Sequence, residues 1–335
     1  MNNRLNPQEE QELAWTKKRV KYHNSQAKGI IVWMEQAQNV LKSKMNGAGL
    51  KQIFVPLHLK EEFSTQFLFE NAKLNKIHSM YCDNYEELPY RPDMAFDVIW
   101  RSFEVMSKYY CGEVWGRKDI SDVDMFQRIS HEVILPILNT ESQLEQAFDQ
   151  LIKSIPESTL RFMVVRLYLN RELGVLPQLG PIKARAIKII SQQMYDDFYA
   201  NYFTSDNRLL IVDHRRFIRK MRSIFIGEAI ELNGVSYKPL DLSDRIELMI
   251  SCVLYVSRCE RYHGDYMSPF KSSMAKQVTY HNFYYLLTIT DLFFWIVWYK
   301  FADHQKIGHI FNLKDLAACS ELRRLNLDTI FPKGK

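Results

Sequence analysis

The spacing of apolar residues predicts helices along most of the chain. From Met94, the run MAFDVIWRSFEVMSKYY puts Phe96, Ile99, Trp100, Phe103 and Met106 at i, i+3, i+4, i+7 and i+10. Those positions share one helix face, with Arg101, Glu104 and Lys108 turned towards another. The same kind of pattern predicts helices over 60–78, 121–137, 140–154, 156–172 and 181–200. Residues 7–46 read as one long helix, or as two with a break near Lys28-Gly29. Pro7 followed by Gln8, Glu9 and Glu10 suits its first turn, and Asn46-Gly47-Ala48-Gly49 suits its end. Residues 243–262 predict a helix whose middle is apolar nearly all round, with Ser243 or Asp244 as N-cap and Gly264 as the stop. Two stretches look extended. In 52–58, Pro56 argues against a central strand, while in 229–240 Asn233-Gly234 carries the signature of a β-hairpin turn. The fold class expected is mainly α with one small β-hairpin.

The most apolar stretch is Phe283 to Tyr299, FYYLLTITDLFFWIVWY, part of a helix predicted over 279–302. It falls just short of a membrane span in length. Asp291 at its middle and Thr288 and Thr290 beside it favour a helix buried in protein over one in lipid. No membrane association is expected.

Composition narrows the class further. Hydrophobic residues make up 47% of the 335 positions and net charge is only +5, so a disordered chain is excluded. Only 12 Gly and 11 Pro are present, too few for a many-stranded fold full of tight turns. The 5 cysteines are odd in number, scattered, and lack the spacing of a zinc site, so reduced thiols and no metal are expected. The start, MNNRLNPQEEQELAW, has no apolar signal core, so a cytoplasmic protein is expected. The weakly basic balance permits nucleic acid as a partner without requiring it. Within Arg208 to Arg222, six basic residues, Arg215, Arg216, Arg219 and Lys220 among them, accompany a single acid, Asp213. This stretch reads as a solvated helix face or as a stripe that binds phosphates.

The chemistry sits at the end of the 243–262 helix, in Tyr255-Val256-Ser257-Arg258-Cys259-Glu260-Arg261-Tyr262-His263-Gly264-Asp265. Arg258 and His263 can offer a fixed cation and a proton-transfer group to one spot. Such a pair suffices to cut RNA without a metal. A base takes the ribose 2′-OH proton, and that oxygen attacks the neighbouring phosphorus. A guanidinium steadies the phosphoryl charge, and an acid protonates the leaving 5′ oxygen. Imidazole suits both proton roles. One His cannot easily be base and acid together, so a two-fold dimer, bringing a second pair to the same cleft, is the natural arrangement.

An Arg-x4-His spacing alone is common. In its context, however, the segment resembles the HEPN family (higher eukaryotes and prokaryotes nucleotide-binding domain), whose motif is Arg, four to six residues, then His. Tyr255, Arg258, Cys259, His263, Gly264 and Asp265 match a prokaryotic branch in order. Upstream, Phe96-Asp97-Val98-Ile99-Trp100-Arg101-Ser102-Phe103-Glu104 is similar to the Phe-x-x-Leu-Trp-x-x-Leu-Glu helix of such domains. The 279–302 helix looks like the family's last helix. The match covers under a third of the chain, and Cys259 stands where a more polar residue is usual.

The resemblance implies N-terminal helices over 1–92, a HEPN-like helical bundle from 93–115 and 243–302, a long helical insertion over 116–242 and a C-terminal tail over 303–335. It implies a dimeric, metal-independent ribonuclease of toxin or antiviral defence type, needing no cofactor and restrained by a regulatory partner protein. The alternative is a HEPN fold without catalysis that binds nucleic acid or serves as a scaffold. Arg258 and His263 are the catalytic candidates. Glu104, Cys259, Arg261 and Asp265 are possible supports, with Glu104 able to orient Arg258 if their helices pack together. Within the insertion, Val175 to Ile187 resembles a helix-hairpin-helix turn, in which backbone N–H groups at a helix start meet a phosphate. Gly180, Pro181, Lys183 and Ala186 fit, but Gln178 replaces the usual first Gly. An αα-turn with Pro181 opening the helix explains the same residues. Gly180, Lys183 and Arg185, with the basic stripe, are the nucleic-acid-binding candidates.

Overall fold

Helix α4, Pro92–Trp115, shows how the pattern becomes structure. Pro92 occupies its first turn, where a missing N–H costs nothing, and Gly116 closes it with φ 65. The five predicted face residues, Phe96, Ile99, Trp100, Phe103 and Met106, are all buried. The computed structural model describes residue 17 and residues 28–168, 180–202, 214–262 and 276–332.

Thirteen helices are described. Before α4 come α1 (Lys28–Gly47), α2 (Glu61–Glu70) and α3 (Ala72–Cys82). After it come α5 (122–140), α6 (Ser142–Lys153), α7 (Glu157–Tyr168), α8 (Gly180–Ile190), α9 (Gln192–Tyr202) and α10 (His214–Ile226). Then follow α11 (242–262), α12 (Gln277–Gln305) and α13 (Leu313–Ile330). The fold is mainly α, and its one small sheet among the described residues is a hairpin, β1 (Ile230–Leu232) and β2 (Val235–Tyr237). Its register pairs Leu232 with Val235, and Asn233 (φ 51) and Gly234 (φ 76) supply the two left-handed turn residues.

Two predicted helices are each broken in two, and local polar side chains account for both breaks. Ser191 takes φ 74 between α8 and α9, and its hydroxyl accepts from the Met194 N–H. Between α2 and α3, the Asn71 amide donates to the Phe67 carbonyl and closes the first helix. Helix α1 is described from Lys28 onward, and most of 7–27, with the expected break, lies outside the described residues. The cap of α11 is Asp241, whose carboxylate accepts from the Asp244 N–H, and not Ser243 or Asp244. The 52–58 stretch forms no strand; its carbonyls instead accept from the side chains of α13.

Helices α4 and α12 form the centre. Phe96 meets Phe283, Phe103 meets Phe293 and Tyr110 meets Phe301, with ring centroids 6.3–6.5 Å apart. The pairs advance in the same direction along both helices, so α4 and α12 lie parallel. Among the described residues α12 is the one helix long and apolar enough to cross a membrane, and 89% of its most apolar stretch is buried within the protein. Helices α5 and α11 run antiparallel, since Phe126 meets Tyr255 while His131 bonds Glu247. Each contains a π-helical turn, Ile129–Ile134 in α5 and Met249–Leu254 in α11.

The region expected as a tail holds α13, which packs on α6 and α12. Asn312 caps it by accepting from the Asp315 N–H. The helices of the 116–242 stretch share one continuous apolar core with the rest.

Candidate functional site

Tyr255 begins the last two turns of α11 and is the point where three other helices meet that end. Its ring lies 6.2 Å from Trp100 of α4 and 5.7 Å from Phe126 of α5, and the Arg185 guanidinium of α8 sits 4.7 Å over its face. One turn later, Arg258 Nη2 lies 3.5 Å from Glu104 Oε2. Glu104 Oε1 accepts from Lys108 Nζ at 2.7 Å, and Lys108 Nζ reaches Asp122 Oδ1 at 3.3 Å. Charges therefore alternate along Arg258, Glu104, Lys108 and Asp122, from α11 across α4 to the start of α5.

The pair that the sequence leaves conditional, Glu104 and Arg258, is thus in contact. Arg258 keeps 24% of its side chain exposed. Burial opposes its charge, but the Glu104 carboxylate, Cys259 and Tyr255 outweigh that and hold its pKa above the ordinary guanidinium value. Lys108 is shifted the same way: burial acts against its cation, but Glu104 and Asp122 prevail. Burial and the neighbouring Cys259 thiol push the Tyr255 phenol up to about 12. Cys259 is half-buried, with its sulfur 4.0 Å from Arg258 Nη1.

His263, Gly264 and Asp265 lie outside the described residues. Arg261 lies in α11, and its side chain is outside them too. Gly180 opens α8, and Lys183 Nζ sits 4.9 Å over the Tyr195 ring. Arg185, a nucleic-acid-binding candidate, is turned inwards. It occupies the inner face of α8 with Ile182, Ala186 and Ile190, and is buried. Arg215, Arg216 and Arg219 are exposed and Lys220 is half-buried along α10, whose other face buries Phe217, Ile218, Met221, Ile224 and Phe225.

Sequence reasoning missed the roles of Lys108 and Asp122 and the place of Arg185. Lys108 carried a signal, being four residues after Glu104 on one helix. Asp122 and Arg185 arrive by tertiary packing, with no local signal. Two surface clefts lie elsewhere. One of about 510 Å³ separates α6 from α13, and one of about 390 Å³ lies beside the end of α1 and Tyr90. Neither shares a residue with the Arg258 cluster. Among the described residues no group of His, Cys, Asp and Glu gathers to hold a metal ion.

Comparison of the chain with protein-family models, with curated proteins and with solved structures finds no match.

Proposed function

We propose that this protein is a metal-independent endoribonuclease of HEPN type, acting as a cytoplasmic homodimer in a toxin or antiviral defence setting. The observation that carries the reading is the Arg258–Glu104 contact. The two stretches that resemble the family lie against each other, and the motif arginine is braced by the glutamate at the end of the other stretch while staying partly open to solvent. A braced guanidinium is pre-oriented for a phosphoryl group, whose charge rises as the 2′ oxygen attacks. His263 is assigned the proton transfers, with a second copy's His263 completing the acid and base set.

Incubation of purified protein with a broad RNA pool in EDTA tests the assignment. Fragments ending in 2′,3′-cyclic phosphate are expected, and Arg258→Ala or His263→Ala should each abolish them. Intact RNA, or cleavage that survives either substitution, overturns it. A non-catalytic nucleic-acid-binding subunit is the second reading, favoured by the exposed basic face of α10. In that case binding persists in both variants and no cleavage occurs.

A further inference from the structure

Three arginines among the described residues are buried: Arg185 (8% exposed), Arg245 (9%) and Arg323 (0%). Two of them each have a carboxylate partner and a backbone carbonyl acceptor. Arg245 pairs with Asp149 at 2.5 Å and donates to the Phe225 carbonyl at 2.8 Å. Arg323 pairs with Asp291 and donates to the Val55 carbonyl at 2.7 Å. Arg185 has neither kind of partner. Among the described residues no carboxylate pairs with it, its Nε is buried with no acceptor, and its guanidinium lies over the Tyr255 ring. A cation withdrawn from water is costly unless an anion meets it, and a ring face compensates only part of that cost.

The missing anion has a natural place. The Arg185 guanidinium lies over the Tyr255 ring, and Tyr255 stands one helical turn before Arg258. The two carboxylates of the cluster are already engaged, Glu104 by Lys108 and Arg258 and Asp122 by Lys108. The Nε of Arg185 is buried and unpartnered. A phosphate placed between two guanidinium groups attracts both.

We infer that Arg185 and Arg258 form a two-arginine phosphate clamp around Tyr255, which receives a backbone phosphate of single-stranded RNA. This rests on the reading that Arg258 faces RNA, and it adds a binding residue from a helix that the family motif does not include. Arg185 is a gripping group that makes no proton transfer. Its loss weakens binding without changing which bond is cut.

The test uses the full-length protein and a 2′-O-methyl RNA 12-mer, which lacks the attacking hydroxyl and reports binding alone. Fluorescence anisotropy across a salt series should show Arg185→Gln binding about tenfold more weakly, with the salt slope reduced by about one. Arg185→Lys should recover part of that loss. In a parallel arm, inorganic phosphate should raise the wild-type Tm relative to chloride at equal ionic strength and leave the Arg185→Gln Tm unchanged. Loss of this phosphate effect with RNA binding intact assigns the same clamp to a free phosphate. The Tm of Arg185→Gln without ligand should equal or exceed wild type, since an uncompensated charge has been removed; a purely structural arginine would lower it. If RNA binding, salt slope and phosphate response are all unchanged in Arg185→Gln and Arg185→Lys, the clamp is overturned. If binding behaves as expected but unmodified RNA is never cut, the clamp stands and the ribonuclease reading falls.

Discussion

Arg323 Nη1 donates to Asp291 Oδ2, and both side chains are wholly shut off from solvent. Tyr81 donates its hydroxyl to the other Asp291 oxygen at 2.6 Å and accepts from Trp295 Nε1 at 3.2 Å. The Arg323 guanidinium lies 3.9 Å over the Phe54 ring. The single charge within the most apolar stretch of the chain is thus neutralised from α13, the helix that follows. Truncating one partner leaves the other charge buried alone. Asp291→Ala and Arg323→Ala should each destabilise by about 3–5 kcal/mol, measured by urea denaturation. The apolar double replacement Asp291→Leu with Arg323→Met should cost clearly less than the sum of the single changes. Strict additivity would show that the two residues do not act as a pair.

On the ribonuclease reading Glu104 positions Arg258, a role separable from stability. The pair is partly exposed, so Glu104→Gln should cost at most about 1 kcal/mol. Cleavage should fall much further, by about tenfold or more in kcat with little change in KM, because the guanidinium loses its bracing at the reacting phosphate. Glu104→Asp should restore part of the rate. Equal losses in the Asp and Gln variants would deny the bracing role.

The His131–Glu247 bond ties the two π-turn helices at 2.7 Å. Glu247 is buried. His131→Ala therefore leaves a buried carboxylate short of a partner and should cost about 1–3 kcal/mol. His131→Gln, able to donate to the same oxygen, should recover much of that. A chemical denaturation series on the three proteins decides it.

His78 makes stability depend on pH. Its ring packs against Tyr81, Trp295 and Trp298, and burial holds its pKa below the usual 6.5. The unfolded chain therefore takes up the proton at a higher pH than the folded one. The stability contribution is full above pH 6.5 and is lost as pH falls from there towards the lowered folded value. Half-buried His309 shifts the same way, so the difference between wild type and His78→Phe isolates this group. Denaturation at pH 7.5 and 5.5 should show a smaller loss in the variant. Identical losses would clear His78 of the effect.

The outer face of α10 should contribute affinity without sequence preference. Arg215→Glu and Arg219→Glu should each lower the slope of RNA affinity against salt by about one or more, and should weaken unrelated oligonucleotides alike. A change confined to one sequence would mean base contacts instead.

Local order was legible wherever one helix or turn decided it. The apolar face of α4, the hairpin at Asn233-Gly234 and the burial of α12 all follow from spacing and turn chemistry. Breaks at Asn71 and Ser191 were not legible, because a short polar side chain that bonds its own backbone leaves little trace in apolar periodicity. Of the candidate site, the Glu104–Arg258 contact was anticipated on condition that their helices pack, and they do, while His263 lies outside the described residues. Arg185 was misplaced because a lysine- and arginine-rich helix start reads as surface. Only the packing of α8 onto α11 turns that one arginine inward.

The ion pair of Asp291 with Arg323 also imposes an order of events during synthesis. The ribosome releases α12 before α13, so for a time the chain presents a long, greasy helix whose carboxylate has no counterion. A nascent chain stopped near Asn312 would keep that exposure permanently. Such a truncation should be captured by chaperones or deposited as aggregate, although every residue around the Arg258 cluster is already present.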